Sequence, residues 1–95
     1  MEPLMRGVIE QAIDSNLTDE SLEELQVRFE MLKPIITSRE DAMFGFIVGA
    51  VVATFSNLYS MILRRKPTDQ EVDEMGKILQ ERSALIKSRI LETLV

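Results

Sequence analysis

SREDAMFGFIVGAVVATFSNLYSMILRRK, residues 38–66, decides the fold. Between Asp41 and Arg64 it holds 22 residues, Ala42 to Leu63, without one charged side chain. Nothing in it alternates with period two and no Pro interrupts it, so it reads as one long helix over about residues 39–64. At 100° per residue, Ala42, Gly45, Gly49, Ala53, Ser56 and Ser60 fall in one narrow stripe of small side chains. Phe44, Ile47, Val48, Val51, Phe55, Leu58, Tyr59 and Ile62 stand on the other side. Each mid-helix glycine costs about 1 kcal/mol relative to alanine. Close approach by another helix is the expected return.

Two architectures fit this segment. In the first it spans a membrane. A helix of 22 residues is about 33 Å long, enough to cross a hydrocarbon core. Small residues four apart are a membrane packing motif, and the basic end would face the cytoplasm. In the second it is the central helix of a soluble bundle. Thr54, Ser56, Asn57 and Ser60 in its second half favour the bundle, because lipid-facing helices rarely cluster such groups. The flanking segments favour it too, since each has an apolar stripe that needs a partner.

Those segments read as three further helices. The first runs from about Pro3 to Asp14, with Pro at a position where its missing N–H costs nothing. Leu4, Met5, Val8, Ile9, Ala12 and Ile13 make its apolar face. The second starts at Thr18, a capping hydroxyl, with Leu17 and Leu22 spaced as a hydrophobic staple. Its seam is Leu22, Leu25, Phe29, Leu32 and Ile36, and Pro34 should end or kink it near Lys33. The last runs over about residues 68–94 from a capping box, Thr68-Asp69-Gln70-Glu71. Val72, Met75, Gly76, Leu79, Ser83, Ile86, Ile90 and Leu94 form its stripe. TDESLEEL and TDQEVDEM match at an offset of 50 residues, which convergent capping chemistry explains without a duplication.

The expected fold is therefore all-α: a single four-helix bundle-like domain over residues 1–95. The long apolar helix pairs antiparallel with the last one. In a hairpin turning at Lys66-Pro67, paired positions sum to about 133. Ser83 would then face Gly49, and Gly76 would face Ser56 and Asn57, small against small. Apolar surface left over predicts a homodimer. The stripe meeting its own copy across a two-fold axis is the alternative way to cover it.

Composition narrows the function. The chain has no Cys and no His, which removes thiol chemistry, the commonest general base and the commonest transition-metal ligand. Glu20/Glu23 and Glu71/Glu74 sit in first turns, where carboxylates suit the helix dipole; they read as solvated, with no metal or cofactor expected. The net charge of −5 is uneven: −6 over residues 1–41 and +1 over residues 64–95. That disfavours a nucleic-acid binder and favours charge matching within or between chains. Arg64, Arg65 and Lys66 are the candidate anion contact, but no aromatic is interleaved for stacking. Val27 with Met31, and Ile78 with Leu85, lie off the main seams and make a candidate partner surface. The N-terminus lacks a signal-peptide pattern, so a cytoplasmic location is expected, a membrane being the alternative. The reading that fits best is a small acidic interaction module, self-associating and without catalytic activity. A single-pass membrane protein dimerising through the stripe comes second, and a weak nucleic-acid binder third.

Overall fold

The computed structural model describes residues 3–94; Met1, Glu2 and Val95 lie outside the described residues. The chain forms an all-α bundle of α1 (Pro3–Asn16), α2 (Asp19–Glu30), α3 (Arg39–Leu58) and α4 (Asp69–Leu94). A π-helical turn, Tyr59–Leu63, prolongs α3. α3 packs against α1, α2 and α4, and forms with α4 the expected antiparallel pair. The body measures 40 × 22 × 21 Å, its long axis close to the length of the 26-residue α4.

Local chemistry sets the helix starts. Thr18 Oγ1 accepts from the Ser21 N–H at 3.2 Å, and Ser38 Oγ from the Asp41 N–H at 3.3 Å. At Thr68 the box is reciprocal: the Glu71 N–H donates to Thr68 Oγ1, and the Thr68 N–H donates to Glu71 Oε1 at 2.9 Å. The echo at Thr18 lacks this return bond because Ser21 occupies the third position, which limits the likeness to the first turn. α2 ends at Glu30, three residues before the expected Lys33. Pro34 has no N–H for the Glu30 carbonyl, so the last α-helical bond of that register cannot form. Residues 31–35 turn instead, through a cis Lys33-Pro34 peptide.

The core is a ladder along α3. Met43, Ile47, Val51, Phe55 and Tyr59, each four apart, are all buried. Met5, Ile9, Ile13 and Leu17 meet them from the α1 side, Leu22 and Leu25 from α2, and Met75, Ile78, Ile86 and Ile90 from α4. The inward side of α4 is rotated from the expected stripe. Ile78 is 3% exposed, so it belongs to the core and not to a partner surface, while Gly76 and Val72 turn outward. The rotation aims two arginines at the acidic half of the chain. Arg82 bonds Glu10 and Asp14 of α1, and Arg89 bonds the Leu17 carbonyl and Asp19. Each long arginine stem packs on the bundle while its fork reaches carboxylates across helices. The uneven charge of the sequence is thus matched inside the fold.

The hairpin end carries a second polar cluster. Arg64 takes a left-handed conformation, φ 54°, and stops the π-helical turn. Arg65 then folds back over the Tyr59 ring at 5.3 Å and forks onto both oxygens of Glu71. Glu71 is therefore not a solvated helix-start acid: its side chain is 13% exposed. The Arg65 guanidinium, the Thr68 N–H and the Tyr59 hydroxyl hold its pKa well below the usual carboxylate range. A carboxylate held low contributes stability above its unfolded pKa and loses it as pH falls below that value. Thermal melting should therefore drop as pH is lowered through about 4.5, the ordinary carboxylate value. Glu71→Gln should melt lower at pH 7 and show a shallower acid dependence. Parallel pH profiles for the two proteins would contradict this role for Glu71.

Candidate interaction surface

The outer face of α3 departs most from an ordinary soluble helix. With Met43, Ile47, Val51, Phe55 and Tyr59 turned inward, the side facing solvent is the small-residue stripe. Gly45, Gly49, Ala53, Ser56 and Ser60 are exposed and Ala42 is half-buried. A Cβ added at Gly45, Gly49 or Gly76 would meet nothing within 4 Å. The expected small-on-small seam between α3 and α4 is therefore not formed. The hairpin register itself is close to expectation: the Lys87 ammonium sits 5.3 Å from the Phe44 ring centroid, at positions summing to 131. Only the face differs. α4 lies against the bulky Phe44 flank, where large side chains bury more apolar area than glycines offer.

The neighbours leave one arc of α3 open. α4 covers the Phe44 flank. On the opposite flank Phe29 of α2 meets Phe46 edge-on at 6.0 Å, and α1 lies along Thr54 through Val8 and Ala12. Between these flanks the stripe faces outward, with half-exposed Phe46 (48%) at its border. An exposed helix face is ordinarily lined with charge; this one carries none between Asp41 and Arg64. By length and composition Arg39–Leu63 could also cross a membrane, with a mean hydropathy of 1.8 over an 18-residue window that is 22% buried.

The charged residues at its two ends are unevenly used. Arg39 pairs with Glu30, and Arg65 pairs with Glu71. Glu40 and Asp41 at the start, and Arg64 and Lys66 at the end, form no ion pair among the described residues. Of the other expected surface residues, Val27 (62% exposed), Met31 (79%) and Leu85 (44%) do face solvent. Met31 begins an apolar turn with Leu32 and Ile35; Leu32, expected on the inward seam of α2, is 45% exposed because Pro34 takes these residues out of the helix.

No three His, Cys, Asp or Glu side chains converge as metal ligands among the described residues. Comparison of the chain with protein-family models, curated proteins and solved structures finds no match to any of them.

Proposed function

We propose that this chain is a small acidic interaction module of the cytoplasm that works by self-association and has no catalytic activity. The observation that carries the reading is the outward, charge-free face of α3. Its apolar part, Gly45, Gly49 and Ala53 with Phe46 at the border, is the kind of exposed patch that marks a contact site on a small domain. The charged outer sides of α1, α2 and α4, tied together by Arg82 and Arg89, support a body that lives in water. With Arg65 committed to Glu71, the 64–66 cluster keeps two of its three cations for other contacts, too few for a nucleic-acid footprint.

The second reading keeps the membrane. It rests on the length and hydropathy of Arg39–Leu63, and would have two copies dimerise in lipid through Gly45, Gly49 and Ala53. Expression without detergent, followed by mass measurement in solution over a range of concentrations, separates the two. The proposal expects a soluble dimer that dissociates on dilution. Recovery only from the membrane fraction would transfer the reading to the second, and a monomer at every concentration would overturn self-association.

A further inference from the structure

We infer that the open face of α3 is covered by α3 of a second copy, laid antiparallel across a two-fold axis that passes between Val52 and Ala53. This rests on the self-association reading and specifies its geometry. The unpaired charges give the first argument. α3 begins with Glu40 and Asp41 and its π-helical extension is followed by Arg64 and Lys66, all four without ion-pair partners among the described residues. An antiparallel copy whose facing positions sum to about 105 sets Asp41 opposite Arg64 at both ends of the contact. A parallel copy would set Asp41 against Asp41, which is repulsive.

Side-chain size gives the second argument, independently of charge. In the same register Gly49 faces Ser56 and Gly45 faces Ser60, with Ala53 beside the two-fold axis. The small residues meet small residues along the contact, so the two backbones can approach closely. One register satisfies both criteria, and it is self-complementary, as an isologous interface requires. The end charges also fix the crossing. At a steep angle of about 50° the two helix ends, about 17 Å from the two-fold axis, would diverge sideways by some 14 Å in addition to the roughly 8 Å between the helix axes, about 16 Å in all, and the charges would not meet. At about 20° the sideways divergence falls to roughly 6 Å and the whole separation to about 10 Å, which the Arg64 and Asp41 side chains span together.

Area gives the third. The chain exposes 6197 Å², whereas a compact monomer of 10.8 kDa exposes about 5500 Å². The excess approaches the roughly 800 Å² that one partner contributes to a standard interface.

The chain contains no cysteine, so single cysteines report the geometry directly. Mild oxidation should cross-link A53C to itself, and G49C to S56C when the two variants are mixed. G49C alone and S56C alone should stay largely uncross-linked, since facing Cα atoms must lie within about 7 Å. Far-UV circular dichroism of each variant confirms that it is folded. Self-linking of both G49C and S56C would mean a parallel pair and overturn the inference. A dimeric mass with none of the expected cross-links would overturn it too while leaving self-association standing; a monomeric mass would overturn both. Charge provides the second arm. Asp41→Lys should weaken the dimer about tenfold at low salt, and adding Arg64→Glu to the same chain should restore it. A single variant without effect, or a double variant no tighter than the single, would overturn the register.

Discussion

Phe55→Ala is expected to cost about 3–5 kcal/mol of folding stability. Phe55 is 1% exposed, sits in the middle of the α3 ladder, and packs against the Tyr59 ring at 4.8 Å between centroids. Truncation removes the transfer free energy of the ring and leaves a cavity. The rigid helical ladder closes it poorly, because Val51 and Tyr59 above and below are themselves fully buried in the same packed cluster. A domain of this length has on the order of 5–14 kcal/mol in total, so the variant should lie close to its unfolding threshold. Ile62→Ala makes the contrast. Ile62 is equally apolar and one turn past the ladder but 50% exposed, and should cost under about 1 kcal/mol. Urea melts of both, at one protein concentration so that association contributes equally, test this. A loss below about 1.5 kcal/mol for Phe55→Ala would mean that the ladder is not the buried side of α3.

Sequence alone does not distinguish Phe55 from Ile62, for a reason specific to α3. The helix starts were legible because a cap is a bond between residues three apart, as at Thr68 and Glu71. The Leu17 and Leu22 staple was legible for the same reason, and both are buried. On an amphipathic helix charge then tells which side faces in. Beyond its first turn α3 carries no charge, so the wheel separates a smooth side from a bulky one without saying which is inside. The neighbours decide that, and α1, α2 and α4 all bring large side chains that pack best on other large ones. On α4 apolar spacing alone put Gly76 and Ser83 inward; the helix buries the larger Ile78 instead, and in that orientation Arg82 and Arg89 reach Glu10, Asp14 and Asp19. The π-helical turn at Tyr59–Leu63 had no residue-type signal, since an extra residue in a turn changes geometry and not composition.

Gly49→Leu should separate folding from association. Within one chain the substitution is expected to be neutral or to stabilise by about 0.7 kcal/mol, because leucine is the better helix former and a Cβ at Gly49 enters open space. Between chains the sign reverses. A leucine one turn from the two-fold axis, where Gly49 faces Ser56, pushes the two backbones apart by several ångströms, which the stiff α3 ladder cannot absorb, and the Asp41 and Arg64 ends lose register with it. The expected result is a variant with an unchanged or raised melting temperature as a monomer and a dissociation constant raised at least a hundredfold. Gly76→Leu, also in open space but on the outer side of α4, should leave both quantities unchanged apart from the same small propensity gain. Three outcomes are informative. Weak association with intact folding supports the proposed contact. A dimer as tight as the parent puts the interface elsewhere on the molecule. Loss of folding by several kcal/mol would mean that some part of this chain closes over Gly49, and the outward orientation of the stripe, on which both proposals depend, would be wrong.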